Sequence, residues 1–209
     1  MATVHGNIIK GTIGDRVYSF DPVSRQQVVR RKPKKVRNPK TEAQQAHRNA
    51  FVDIVRLSSH MTEAHRLGLR RHAQRERLRT YTYFRRVNKD CFTPDGFVDY
   101  PRVVLSYGPV GLVVVNEVLV DADHVLRLTF DACLKQANAL ANDAFHLFVY
   151  CPARGAGILA PPVPRSAGAL TFPLPSDWPS DGLHLYAFLL DAKGRASSTI
   201  YIPLPEEPR

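Results

Sequence analysis

Eight histidines, three cysteines and a glycine–lysine cluster near the N-terminus are the residues of this 209-residue chain best suited to chemistry. His60, His65 and His72 fall in a segment with helical character, but their steps of five and seven do not match the i, i+4 pair of a helical zinc site. No carboxylate or thiolate completes them, so they read as surface histidines on a basic helix. His124, His146 and His184 are separated by strand lengths. His146 and His184 alternate with Phe145, Leu147, Leu183 and Leu185, the pattern of outward residues on half-buried strands. Cys91, Cys133 and Cys151 are odd in number and widely spaced, which predicts reduced thiols. Asp121, Asp123 and Asp131 lack the glycine and spacing of a calcium loop. There is no G-x-S-x-G elbow for a serine nucleophile. Gly6-Asn7-Ile8-Ile9-Lys10-Gly11-Thr12 has the ingredients of a phosphate-binding loop in the wrong order, because the lysine precedes the second glycine. The residue types therefore predict no enzyme, no metal and no cofactor.

Charge is the chemistry that remains. Residues 1–90 carry 21 Lys+Arg against 7 Asp+Glu, a net of +14, whereas residues 91–209 carry 8 against 12, a net of −4. The densest run, residues 30–40, holds seven cations and no acid: Arg30, Arg31, Lys32, Lys34, Lys35, Arg37 and Lys40. Pro33 and Pro39 keep this run extended, since each fixes its own φ and turns the preceding residue away from helix. A second concentration follows at Arg66, Arg70, Arg71, Arg75, Arg77, Arg79, Arg85 and Arg86, with only Glu63 and Glu76 nearby to compensate. Phosphate contacts by Arg30, Arg31, Lys32, Lys34, Lys35, Arg37, Lys40, Arg70, Arg71, Arg75 and Arg79 would give salt-sensitive binding without sequence preference. Tyr81, Tyr83 and Phe84 among the arginines suit base stacking, and suit core packing equally.

Three kinds of element must position these charges, and the spacing predicts an α+β chain. Residues 1–40 read as short glycine-punctuated β-strands followed by the basic extended arm. Strands this short bury little and must pack on the rest of the chain or on another subunit. Residues 41–91 read as helical. Thr41 is the predicted N-cap, with Glu42 in the first turn and Gln44 completing a Thr-x-x-Gln capping box. Ala43, Ala46, Ala50, Ile54, Leu57 and Met61 then recur at three- and four-residue steps, widened by Phe51 and Val55, which predicts one helix over about residues 42–60. Residues 63–90 read as one broken or two helices, with Gly68 a weak point.

Residues 92–209 read as an antiparallel β-sandwich of immunoglobulin or fibronectin type, from about seven short strands at regular spacing. The predicted strands are Val103–Ser106, Leu112–Val120, Val125–Phe130, Ala144–Tyr150, Ala169–Leu174, Leu183–Leu190 and Ser197–Ile202. The single tryptophan, Trp178, sits in a turn, so the cysteine–tryptophan hallmark of antibody domains is missing. No apolar run approaches the roughly 20 residues that span a bilayer, and the first residues lack an export signal. The chain reads as soluble and cytoplasmic, or virion-borne if phage-derived, with no membrane partner.

The order Gly6…Lys10-Gly11…Gly14…Val17-Tyr18, then Val29-Arg30-Arg31-Lys32-Pro33, then Asn38-Pro39-Lys40-Thr41-Glu42-Ala43-Gln44 and Arg48…Phe51, resembles an uncharacterised family of Bacteroides-type bacteria. Tyr186-Ala187-Phe188…Ser197-Ser198-Thr199-Ile200-Tyr201 fits that family's closing strands. Related Asn-Pro-Lys-Thr-x-x-Gln segments occur in phage and prophage proteins of structural type. The resemblance implies no catalytic residue. Two expectations follow. One is a non-enzymatic structural or interaction protein that assembles as a homo-oligomer or with other subunits through its N-terminal arm and helices. The alternative is a DNA- or RNA-binding protein using the arm and the arginine-rich helix.

Overall fold

A computed structural model of the chain describes residues 3–5, 8–34, 40–93, 96 and 98–204. It is an α+β structure. Strands β1 (Thr3–His5), β2 (Ile8–Ile13), β3 (Arg16–Asp21) and β4 (Gln26–Arg31) form an antiparallel meander in the order β1-β2-β3-β4. Gly14, at φ +58°, and Asp15 make the β2–β3 turn, a backbone state that glycine adopts without a Cβ clash. Asp21 then holds the β3–β4 turn by accepting from the Val23 N–H at 3.0 Å and the Ser24 hydroxyl at 2.9 Å. The Gln27 amide bridges back across the sheet, accepting from Ile9 N–H at 3.1 Å and donating to the Ile9 and Ser19 carbonyls at 2.8 Å.

Helix α1 spans Glu42–His60, and Thr41 Oγ1 accepts from the Gln44 N–H at 3.3 Å, as the cap signal predicts. The reciprocal half of the capping box is not made, because Gln44 Oε1 is buried without a partner. The basic segment that follows divides into three pieces rather than one or two: α2 (Thr62–Gly68), α3 (Arg70–Arg75) and α4 (Thr80–Val87). Gly68 ends α2 because the chain there presses on another segment. A methyl group at that position would collide with the Leu105 carbonyl oxygen and the Ser106 Cβ.

Beyond the helices, β5 (Val114–Val120) and β6 (Val125–Asp131) form a hairpin. Then come β7 (Ala144–Cys151), β8 (Ala156–Leu159), the short β9 (Val163–Pro164), β10 (Ala169–Pro173), β11 (His184–Leu190) and β12 (Ile200–Ile202). One sheet runs β10-β6-β5. The other runs β12-β11-β7-β8, with β9 added on β7. Alternation along the strands sends Phe145, Leu147, Val149 and Leu185, Ala187, Leu189 into a core shared with Val118, Leu126, Leu128, Phe130 and Leu170 of the three-stranded sheet. The opposite side of the same strands, Phe148, Tyr150, Tyr186 and Phe188, packs with Ile54, Leu57, Met61, Ala73 and Phe84 of the helices. The central sheet is therefore covered on both faces, and the region has three layers where the sequence suggests a two-layer sandwich.

That third layer overturns the reading of several residues. His146 is not outward to solvent: it is buried, stacked on Phe188 at 5.2 Å beneath the helices. His184 is half-buried and stacks on Tyr100 at 3.9 Å. His65 is fully buried rather than on the surface, with Nε2 3.1 Å from the Ser58 carbonyl. Phe51, predicted to widen the apolar stripe of α1, is exposed, with the Arg85 guanidinium 5.6 Å above its ring. Val103–Ser106 is not a strand, because side chains take the place of a neighbouring ladder. Asn88 accepts from Val104 N–H at 2.7 Å and donates to its carbonyl at 2.9 Å. Thr199 Oγ1 accepts from both Leu105 and Ser106 N–H at 2.8 Å.

Candidate interaction surfaces

Two surfaces collect the residues singled out by charge. The first is the meander and the arm that leaves it. Arg30 and Arg31 are the last residues of β4, so the basic run begins inside a strand. Arg31 pairs with Asp15 at 3.2 Å, and the Lys32 N–H donates to the Asp15 carbonyl. Lys32, Lys34 and Lys40 are exposed, whereas Lys35 and Arg37 lie outside the described residues. Directly opposed pairs in the ladder put Ile13, Tyr18, Phe20 and Val29 on one face of the sheet, with Arg16 and Arg31 beside them. No residue between 8 and 34 is buried, and Ile13, Val28 and Val29 are 45–49 % exposed.

The second surface is the helical layer. Arg70, Arg71 and Arg75 on α3 are exposed, as is Arg79 at the N-cap of α4. The Asp21 carboxylate is held below its ordinary pKa, first by the Val23 N–H, then by the Ser24 hydroxyl, with Arg79 contributing at longer range. Arg86 pairs with Glu76, while Arg70, Arg71, Arg75 and Arg79 have no ion pair among the described residues. Tyr83 and Phe84 are buried and so are not open to a base, whereas Tyr81 is exposed beneath Arg85, whose guanidinium sits 4.7 Å from its ring.

Arg71 and Arg75 are one helical turn apart and line a cleft of about 310 Å³ with Gly68, His72, Tyr107, Pro109, Gly194, Arg195 and Ala196. Three segments far apart in sequence meet here because two glycines allow backbone contact. Gly68 lies against Leu105–Ser106, and a Cβ on Gly108 would strike the Ala196 carbonyl. Tyr107 meets the His72 ring edge-on at 5.2 Å and is 58 % exposed. Arg195 is fixed by Asp191, whose Oδ2 accepts from its Nε at 2.6 Å and whose Oδ1 accepts from its backbone N–H at 2.7 Å. Burial works against the Asp191 carboxylate, but the Arg195 bonds outweigh it and hold its pKa below the ordinary value. Sequence reasoning found Arg71 and Arg75 and missed Tyr107 and Arg195, which carry no local pattern.

Among the described residues no group of three His, Cys, Asp or Glu is placed to hold a metal ion. The cysteines are all free, with Cys91 and Cys151 buried; burial raises the Cys91 thiol above its ordinary pKa. No helix among the described residues is long and apolar enough to cross a membrane.

Fold and surfaces together define an α+β protein with a cationic helical layer and an uncovered N-terminal sheet. A family model matches residues 11–203, and the chain belongs to that family, a family of unknown function (DUF6266). Comparisons with curated proteins and with solved structures return no match.

Proposed function

We propose that the chain is a non-enzymatic structural protein that assembles with further copies of itself through its N-terminal sheet, arm and helices. The observation that carries this reading is the meander. It aligns Ile13, Tyr18, Phe20 and Val29 on one face, yet buries none of them. A sheet gains stability by covering such a face, so a working form in which another molecule covers it fits the physics. Like charges at Arg30 and Arg31 disfavour pairing β4 with β4 of a second copy. The edge strand β5 is the better complement. It exposes Val114, Glu117 and Leu119 in the half of the chain with net charge −4. Contact of the meander face and the β4 edge with a neighbour's β5 is head-to-tail, and such contacts build rings or filaments rather than closed dimers.

The phage or prophage setting belongs to the same proposal, on the resemblance of Asn38–Gln44 to segments of phage structural proteins and of the chain to a Bacteroides-type family. A cytoplasmic or virion location goes with it. Light scattering on the full chain and on a chain beginning at Thr41 tests the reading. The expected result is a mass rising with concentration in multiples of 23.5 kDa for the full chain alone. A full chain that stays monomeric at high concentration sinks it.

A second reading, sequence-independent nucleic-acid binding, is favoured by one observation: the exposed arginines of α3 lack compensating acids. Titrating a random duplex and a single strand against salt tests it. A steep loss of affinity with salt supports it, and a flat response rejects it.

A further inference from the structure

We propose that the cleft between α3, residues 105–109 and the β11–β12 hairpin is a nucleotide site, with a phosphate monoester held by Arg71, Arg75 and Arg195 and a base stacked on Tyr107. The cleft lies apart from β4 and β5, the strands that the assembly reading pairs, although α3 belongs to the helical layer that reading also uses. Its volume of about 310 Å³ is at the small end of ligand pockets, the size range for one nucleotide rather than a long strand.

Three features carry the argument. Arg71 and Arg75 have no hydrogen-bond or ion-pair partner among the described residues, so their guanidinium donors are available. Arg195 is different: its Nε is already committed to Asp191, which fixes the planar fork while its two terminal nitrogens make no bond among the described residues. A fork pre-oriented in this way loses little freedom on meeting a phosphate. Among the described residues Asp191 is the only carboxylate paired with these groups. Its side chain is 6 % exposed and engaged by Arg195 and by the backbone N–H groups of Lys193 and Arg195. The cleft keeps an excess of positive charge after that pair is counted.

The aromatic component is Tyr107. A tyrosine 58 % exposed at the rim of a cationic cleft gives up apolar area to water that a base would cover. His72 supports it from beneath, edge-on to Tyr107 at 5.2 Å and parallel to the buried Tyr83 at 6.2 Å. The ring is therefore backed by the protein and open on the side of the cleft.

Calorimetric titration of the full chain with AMP, ribose 5-phosphate, inorganic phosphate and adenosine tests the site. Two further arms, a 12-nucleotide single strand with and without a 5′-phosphate, distinguish a free nucleotide from a strand end as the source. The expected order is AMP tightest, ribose 5-phosphate and phosphate weaker, and adenosine weakest. Arg71→Ala and Arg75→Ala each weaken AMP binding about tenfold or more, one charge-assisted contact apiece. Tyr107→Ala weakens AMP but leaves ribose 5-phosphate unchanged. Arg70→Ala, on the same helix but outside the cleft, leaves both unchanged. Circular dichroism confirms that each variant is folded. A 5′-phosphorylated strand that binds when its unphosphorylated twin does not assigns the site to strand ends, and AMP alone assigns it to free nucleotides. The proposal is overturned if no phosphate ester binds. It is also overturned if Arg70→Ala matches the loss in Arg75→Ala, or if phosphate binds as tightly as AMP and Tyr107→Ala changes nothing.

Discussion

The meander and the central sheet are both antiparallel ladders, and they differ in what lies on their faces. In β4 all six residues are exposed, whereas in β7 seven of eight are buried. Phe20 is half-buried in the first, while Phe145 and Phe148 are fully buried on opposite sides of the second. The hydrogen bonds are of the same kind in both sheets, and each contributes only about 0.5–1.5 kcal/mol net because water competes for the same groups. Covering a large apolar side chain contributes about 1.5–3 kcal/mol. Layers, then, and not ladders, make the C-terminal region stable, and the N-terminal sheet leaves its apolar face uncovered among the described residues.

The largest effect should come from the covered region, where a buried ion pair joins segments outside the strands. Arg165 is fully buried. It bonds Asp143 at 3.2 Å through Nε, and the carbonyls of Leu112 and Ala132 at 3.2 and 3.0 Å through Nη1. Asp143→Ala leaves that guanidinium buried and unpaired, and should cost about 3–5 kcal/mol in urea unfolding. Asp143→Leu combined with Arg165→Met should recover much of the loss. A single substitution costing under about 1 kcal/mol would mean that water reaches this region after all, and the contrast between the two sheets would fail.

A second test uses pH. Burial pushes the His65 imidazole down to about 4, and burial lowers His60, His146 and His184 as well. A histidine that is harder to protonate when folded favours the unfolded chain as pH falls. The stability associated with His65 is complete above the ordinary value of 6.5 and is lost between there and about 4. The loss at the lower limit is roughly 3 kcal/mol for this residue. His65→Leu should flatten the profile across that window. An unchanged slope would assign the acid sensitivity to the other histidines.

What the sequence discloses and what it conceals follow the same division. Helix α1 and its Thr41 cap were legible because every signal lies within one turn or one face. The ladders of β7 and β11 were legible from their strand-prone residues. Their two-sided burial was not, because His146 and His184 interrupt the apolar run at positions that suggest a wet face. Only the helical layer explains them, and no local pattern announces which sheet a helix will cover. Arg165 was invisible for a related reason: a lone arginine in a proline-rich turn has no period, and its partners are 22 to 54 positions away. Of the residues lining the cleft, Arg71 and Arg75 were legible as charge. Tyr107 and Arg195 join them only through the contacts at Gly68 and Gly108.

A smaller effect is expected at the first turn of α1. Thr41→Ala removes the hydroxyl that accepts from the Gln44 N–H and should cost about 1 kcal/mol. The loss should appear in helical signal at residues 42–60 while the core unfolds as before. Thr41→Asp should restore it, since a carboxylate accepts the same bond and favours the positive end of the helix. If Thr41→Ala destabilised by several kcal/mol, α1 would be an integral part of the core at its first turn as well as at Ile54, Leu57 and Met61, and the boundary between covered and uncovered regions would move toward the N-terminus.

The smallest effect is the sharpest test of the comparison. Val29→Asp puts a charge on the apolar face of the meander, at a position 47 % exposed. In dilute monomeric protein it should change stability by no more than about 0.5 kcal/mol, as surface substitutions do. Leu147→Asp, in the covered sheet, buries an unpaired carboxylate and should destabilise the dilute monomer severely, as Asp143→Ala does. At concentrations where the full chain associates, the outcome for Val29→Asp should reverse: association should be lost although the fold is intact, because the charge would have to be desolvated beneath the partner. Sedimentation at two concentrations alongside urea unfolding separates these outcomes. Harm to the dilute monomer would mean that the chain itself covers the meander. Harm confined to the concentrated protein would identify the uncovered face as the one another copy occupies.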